Sequence, residues 1–532
     1  METNSLVNLE KGLLEFAEPF SSDLFDRVGD KMTQLLQSYD KIWKKVKIKI
    51  DDKDILRVLV LAVLFILLPA ILIFIAISYM YKYICSALIK MGDNNFVCFL
   101  ESFDVFWSLD DDVNKNIIEV LGFIEAESPD KLVNDIRRRL DSLVTNKTVE
   151  KIFYRRHEQF GFYYWHKSDY VDVCEYVKIL KVSNAQGLNR NDLEVIMTEL
   201  SHDSLPCNGE GLFEILVTDI RVTDTDFIDN YAIIFRIHHA VGDGIALIEF
   251  LCKILADESS DIQLFKPPEV CNLIEENVAK NFTDLVKKIS EIILCAVDGV
   301  IRKPDLNALH GPILEGKKYF RWIDTNNNML EMIKEIKEKQ HGLNFTDILA
   351  TALSSGLRDY FSKKMLYIPD DVAVIIPIRL SEKEQSLILE NNFTVSILPL
   401  PLTANLDSIS QCCKQLRKSL DPLTNHYLLK LCNVFPKCIL ESVFNSNQAT
   451  LVFSNIPGPK SLSICGCPVQ SLVFFVPNKG TTGVGVTVLC YGGVLRFAIM
   501  ADSAVLSSPD DLSVILNGMI KEIQQMHRKY VA

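Results

Sequence analysis

Two adjacent histidines, His238 and His239, precede the turn Ala240-Val241-Gly242-Asp243-Gly244, so His239 stands four residues before an aspartate flanked by glycines. Imidazole is the side chain that titrates closest to neutral pH. A neutral imidazole held on an apolar wall can take a proton from a hydroxyl and hand it on. Residues 231–237 are β-branched and aromatic and predict a buried strand. Residues 245–255 have the length and spacing of a helix. The histidines therefore fall at a strand-to-helix switch. Side chains alternate along a strand, which sends Ile233, Phe235, Ile237 and His239 one way and Arg236 and His238 the other. Only one of the two histidines can serve a given site. On this reading His239 is the general base and His238 supports the loop from the opposite face. Asp243 shapes the turn through an ion pair, with Arg379 as its partner, and Gly242 and Gly244 permit a tight backbone. The structural alternative is two satisfied core histidines ending a strand; the complete string HHxxxDG, closing an apolar strand and opening a helix, speaks against it.

That string resembles the signature of the CoA-dependent acyltransferase superfamily. A second stretch, Leu451-Val-Phe-Ser454-Asn455-Ile-Pro-Gly-Pro459, resembles the SNxPGP motif of its wax ester synthase/diacylglycerol acyltransferase (WS/DGAT) family. Leu309-His310-Gly311-Pro312, Phe345-Thr346-Asp347-Ile348-Leu349, Ile376-Pro377-Ile378-Arg379 and Ala501-Asp502 follow the order of further family motifs, and the likeness covers roughly residues 100 to 530. There are departures: His310 and Thr346 stand where the family has Asn, Leu212-Phe213-Glu214 where PLWE is common, and Cys490 where a Ser is common. None touches HHxxxDG.

The resemblance implies an α/β protein of two chloramphenicol-acetyltransferase-like halves enclosing a tunnel, with His239 at its centre. Acyl-CoA would enter one mouth and a lipid alcohol the other, in a site dry enough to suppress hydrolysis. The implied function is a membrane-bound O-acyltransferase that moves a fatty acyl group from acyl-CoA to a long-chain alcohol, diacylglycerol or both. His238, Asp243 and Gly244 would support the motif, and Ser454 and Asn455 would line the tunnel or donate to the oxyanion. Acyl-CoA is a co-substrate; no bound cofactor and no metal is implied. The alternatives are an inactive membrane-anchored lipid-binding or scaffold protein of the same fold, and an acyltransferase for a non-lipid alcohol or amine.

Composition narrows the field. The chain has 532 residues, 48% of them hydrophobic, which suits two packed domains plus an anchor. A net charge of −13 argues against nucleic acid as a partner, because no basic domain exists to neutralise phosphates. Fourteen cysteines are scattered without CxxC pairs, and neither Cys412-Cys413 nor Cys465-Gly-Cys467 has zinc-site spacing. Reduced thiols are expected. Sequons at Asn146, Asn281, Asn344 and Asn392 are read as chance occurrences.

No cleavable signal peptide opens the sequence. Residues 58–80 instead carry no charge between Arg57 and Lys82, enough to cross a bilayer core of roughly 30 Å. Seven basic residues between Lys41 and Arg57 precede this run, a bias that puts the N-terminus in the cytosol. A single span would then place the catalytic region away from cytosolic acyl-CoA. Pro69, at the middle of the run, offers a way out as the tip of a re-entrant hairpin. Upstream, residues 25–46 have the pattern of a basic amphipathic helix lying on a membrane surface. The expected organisation is an amphipathic segment (1–54), a transmembrane or re-entrant anchor (55–90), an N-terminal acyltransferase half (95–256), a linker with a crossover helix (257–315) and a C-terminal half (316–532). The expected location is a membrane: endoplasmic reticulum, lipid droplet or plasma membrane.

Overall fold

The computed structural model describes residues 52–110, 113–147, 149–182, 187–223, 230–257, 282–326, 328–379, 389–444 and 448–531. The amphipathic segment expected over residues 25–46 lies outside them. The apolar run forms part of one helix, α1 (Asp52–Gly92), with Pro69 inside it. The hairpin expected at Pro69 does not form. A proline removes one hydrogen bond from a helix, whereas a turn at bilayer depth would strip several backbone groups of partners. The candidate span Val58–Gly92 is 35 residues long; at 1.5 Å per residue that is about 50 Å, more than the roughly 30 Å of a hydrocarbon core. From Phe65 on the helix belongs to the globular unit, residues 65–532, and its later turns pack within it. Ser78, Cys85 and Ile89 are buried along one stripe, Phe74 stacks on Phe435, and Lys82 Nζ donates to the Asn433 carbonyl at 2.7 Å.

Two six-stranded sheets organise that unit. The first runs β12 (Leu462–Ile464), β13 (Cys467–Phe475), β2 (Ile117–Ile124), β7 (Tyr231–His238), β6 (Phe213–Arg221), β5 (Val177–Leu180). The second runs β10 (Phe393–Pro401), β9 (Asp371–Arg379), β11 (Leu451–Pro457), β14 (Val484–Tyr491), β15 (Val494–Asp502), β8 (Lys318–Asp324). A small sheet of β1 (Phe96–Phe99), β4 (Phe162–His166) and β3 (Arg155–Gln159) stands apart. Strands β12 and β13 belong to the C-terminal portion of the chain yet complete the N-terminal sheet, an exchange that no periodicity announces. One core holds Leu121, Phe123 and Ile234 of the first sheet together with Phe320, Trp322, Ala498 and Met500 of the second. Helix α4 (Arg190–Leu200) adds Leu193 and Met197 to it.

The outer faces are covered by helices whose apolar spacing matches their burial. Helix α3 (Pro129–Asp141) starts where Ser128 Oγ accepts from Lys131 N and buries Leu132, Val133, Ile136 and Leu140. The Arg137-Arg138-Arg139 run on it is engaged within the chain, Arg137 with the Val177 carbonyl and Arg139 with Asp257. On the second sheet lie α7 (Asn328–Lys339), α8 (Phe345–Lys363), α9 (Leu406–Lys418) and α12 (Pro509–Tyr530). Three shorter or amphipathic helices complete the unit: α6 (Phe282–Ile301), α10 (Asp421–Cys432) and α11 (Lys437–Phe444). Among the described residues every cysteine is a free thiol.

Candidate active site

Strand β7 ends at His238, and α5 (Gly244–Phe250) begins six residues later, so the two histidines sit at the predicted switch. The predicted alternation holds. Arg236 is fully buried between Glu119 of β2 and Glu214 of β6, bonding Glu214 and approaching Glu119 at 3.6 Å. His238 is buried on that side with Asp110 and Arg156 for neighbours. The Ala240 N–H donates to His238 Nδ1 at 3.1 Å, while Nε2 lies 2.9 Å from the Arg156 guanidinium, a donor only, and 3.4 Å from Asp110 Oδ2. Burial and then the Arg156 charge push the His238 pKa down. Both nitrogens are thus engaged within the fold, one by the loop backbone and one by Arg156 and Asp110.

His239 is different. Its ring lies flat on Trp107 of α2 (Ser102–Ser108), with centroids 3.8 Å apart and planes within 8°. Phe393, at the start of β10, closes a third side at 5.8 Å. Nδ1 is 3.2 Å from Asn391 Oδ1. The Asn391 amide has a fixed sense, because its Nδ2 donates both to Asp104 Oδ1 and to the His239 carbonyl, each at 2.9 Å. Oδ1 is therefore an acceptor, and Nδ1 must carry the ring proton. Nε2 then holds a lone pair and has no hydrogen-bond partner among the described residues. Asp104 is in turn clamped by Lys151 at 2.8 Å, whose ammonium also reaches the Val241 and Leu389 carbonyls. A chain of contacts, Lys151 to Asp104 to Asn391 to His239, sets the tautomer. Burial pushes the His239 pKa down to about 3, so the ring is neutral across the physiological range. A neutral, oriented imidazole with one free nitrogen can accept a hydroxyl proton.

Asp243 takes no part in this. It caps α5, with Oδ1 accepting from Ile245 N and Ala246 N at 3.1 and 2.9 Å, and Oδ2 accepting from Asn392 N at 2.9 Å. The expected ion pair with Arg379 is absent among the described residues. Three backbone N–H groups satisfy the carboxylate, and the Arg379 charge acts on it only from a distance. Gly244 lies close to β11: a Cβ there would sit 2.3 Å from Ile456 Cδ1, so that side-chain end would have to move. That contact brings the SNIPGP strand β11 against the histidine loop. Ser454 is buried and Asn455 half-buried on β11; no hydrogen bond joins either side chain to His239 among the described residues. Gly458 lets the chain pass β14, since a Cβ would lie 2.3 Å from the Cys490 carbonyl oxygen.

The remaining motif residues are structural. Asp347 is wholly buried, takes a bidentate pair from Arg417 at 2.8 and 3.2 Å and caps α8. Asp502 accepts from the Glu315 and Gly316 amides at 3.0 and 2.8 Å. His310 contacts the Asp305 carbonyl and Thr481 Oγ1 through its two nitrogens. The sequon residues Asn344 and Asn392 are tied into backbone contacts of these same clusters.

Comparison with known proteins bears on the same regions. Residues 389–525 match the family model described as WS/DGAT C-terminal domain. The chain carries a WS/DGAT C-terminal domain. No curated protein sequence matches the chain significantly. Among solved structures, the chain is similar to the wax ester synthase/diacylglycerol acyltransferase from Marinobacter aquaeolei VT8, with TM-score 0.54, 14% identity, 81% of this chain and 100% of that one covered. The trichothecene 15-O-acetyltransferase from Fusarium sporotrichioides superposes with TM-score 0.55 and 14% identity over 80% and 94%. The starter condensation domain of rhizomide synthetase, solved with C8-CoA and Leu-SNAC, gives 0.52 and 13% over 81% and 95%. The fold is that of the two-domain CoA-dependent acyltransferases, and the WS/DGAT domain places the chain with acyltransferases.

Asn391, Asp104, Lys151 and Trp107 were not singled out in the sequence. The one signal for Asn391 is a polar doublet, Asn391-Asn392, opening an apolar strand, of which only Asn392 belongs to a sequon.

Proposed function

We propose that this protein is a membrane-bound O-acyltransferase that transfers a fatty acyl group from acyl-CoA to a long-chain alcohol, to diacylglycerol, or to both. The observation that carries this reading is His239: neutral, fixed in one tautomer through Nδ1, and free at Nε2. In the proposed reaction Nε2 takes the acceptor's hydroxyl proton as the oxygen attacks the thioester carbonyl. The imidazolium then protonates the departing CoA thiolate, so the proton returns to product and no covalent enzyme intermediate is needed. Asp243 and His238 hold the loop. The oxyanion would draw on Ser454 and Asn455, or on the indole N–H of Trp107, which is buried beside His239 without a hydrogen-bond partner.

A lipid acceptor is supported by apolar surface continuing from α1. Helix α10 exposes Tyr427, Leu428 and Leu431, and α6, packed against it, exposes Leu285, Val286 and Ile289. The opposite side of α10 carries His426, which approaches Phe103 at 6.4 Å, and Phe103 stacks on Phe393 beside His239. A lipid entering from the bilayer would have a short aromatic route to the base. Membranes containing the protein, offered labelled palmitoyl-CoA with hexadecanol or diacylglycerol, test the reading. Wax ester or triacylglycerol that disappears in His239→Ala is the expected result. No product from either acceptor would favour the scaffold reading or another acceptor.

A further inference from the structure

The small β1–β4–β3 sheet brings together residues that no spacing in the sequence connects. On the β3–β4 hairpin, Arg155 faces His166 and His157 faces Tyr164, which puts both histidines on one side of the ribbon. Their rings stack with centroids 4.3 Å apart. Asp93, just past the end of α1, points its carboxylate at them, with Oδ1 3.5 Å from His166 Nε2. One ligand atom from each of Asp93, His157 and His166 lies within 4.8 Å of the others. Glu210, from the turn before β6, puts Oε2 3.2 Å from His157 Nε2.

Ordinary hydrogen bonding leaves this group incomplete. His157 Nε2 and His166 Nδ1 are buried with no hydrogen-bond partner, even though Glu210 is within reach of the first. Both carboxylates are meanwhile steered from behind. Asn95 N donates to Asp93 Oδ1 at 2.9 Å and Tyr164 Oη to Oδ2 at 3.3 Å, while Arg155 stands 3.9 Å from Glu210 Oε2. Two imidazoles and two oriented carboxylates, with outer partners on the carboxylates, are the donor set of a tetrahedral nitrogen-oxygen site.

We propose that Asp93, His157, His166 and Glu210 bind a first-row divalent cation, with zinc the best fit. Metal–ligand distances of about 2.0–2.2 Å put tetrahedral ligand atoms a little over 3 Å apart, so side-chain rotation must draw the present cluster in by roughly 1 Å. The Arg155 guanidinium opposes a cation, and its pairing with Glu210 is what offsets this. The ion would pin the end of α1 to the β3–β4 hairpin and to the approach to β6, using none of the residues around His239. Its role is a structural clip, independent of the proposed chemistry. The sequence alone implied no metal, because the four ligands span residues 93 to 210 with no motif spacing.

The test uses the full chain in detergent, stripped with a chelator and reloaded with zinc or cobalt. Metal per chain is measured by mass spectrometry and cobalt geometry by its ligand-field absorption. The expected result is one tightly held equivalent with a tetrahedral cobalt spectrum, lost in His157→Ala/His166→Ala and weakened at least tenfold in Asp93→Asn. Zinc should also raise the unfolding temperature of the wild type and leave that of the double variant unmoved. Zinc that persists in the double variant belongs to the cysteines. Equal metal content and equal thermal response in wild type and variant would overturn the proposal. If the double variant does not fold, His166→Gln provides the same comparison.

Discussion

The histidine loop and the C-terminal motif clusters are built from the same kinds of residue and end in opposite states. Around Asp347, Asp502 and His310 the polar side chains find partners within the fold. At His239 one nitrogen is tied to Asn391 and the other is left free. Even within HHxxxDG the contrast holds, since Asp243 is saturated by three backbone N–H groups while His239, four residues earlier, keeps a lone pair. A ring nitrogen left without a partner in a largely buried residue is unusual. A fold that holds such an atom in a fixed tautomer has a use for it, whereas a saturated carboxylate is sufficiently explained by the turn it makes.

The largest effect should come from removing the free nitrogen. His239→Ala is expected to lower turnover roughly 10³-fold, the range of general-base removal, with no loss of folding at neutral pH. Steady-state rates beside a thermal melt check this; turnover within a few-fold of wild type would mean that His239 is a core residue like His310. The converse holds for Asp347. Removing it takes away the bidentate acceptor of Arg417 and the reciprocal cap of α8, so Asp347→Ala should destabilise by about 2 kcal/mol, while the surviving folded protein keeps its turnover. A variant that melts normally but turns over slowly would move Asp347 into the chemistry and dissolve the contrast.

Asn391 tests the link between the two regions, because it lies within the C-terminal domain, 152 residues from the histidine it orients. Asn391→Ala frees the ring to take either tautomer. Turnover should fall about 30-fold, near 2 kcal/mol, with little change in KM for acyl-CoA. Unchanged turnover and an unchanged pH profile would show that the amide is only a packing group.

This pair also marks how far the sequence could be read. The strand, the switch and the sidedness of the two histidines were legible because each is local: apolar alternation and a run of known length. The Arg379 partner was misassigned because opposite charges in separate motifs invite pairing, whereas the nearby amides of residues 245, 246 and 392 were invisible as donors. The Pro69 hairpin failed for a similar reason, since the residue's cost was visible and the tolerance of a long apolar helix was not. Asn391, Asp104, Lys151 and the crossing of β13 onto the N-terminal sheet depend on contacts between distant segments, which no local pattern encodes.

The smallest effect concerns stability against pH, and its sign follows from burial. His239 is held at about 3 in the folded chain, against an ordinary value of 6.5. Above pH 6.5 both folded and unfolded forms are neutral there and the residue makes no pH-dependent contribution. As pH falls from 6.5 toward 3, the unfolded chain binds a proton that the folded chain refuses, and stability drops. At pH 5 the loss is about 2 kcal/mol. Glu119, which burial raises to about 7 despite Arg236 beside it, works in the opposite sense between pH 7 and its ordinary range near 4.5. It is common to wild type and His239→Gln and cancels in their difference. The variant should therefore gain on the wild type as melts are taken from pH 7 down to 5. A constant difference across that range would mean that His239 is accessible to protons in the folded state, and its lone pair less sheltered than the stacking on Trp107 implies.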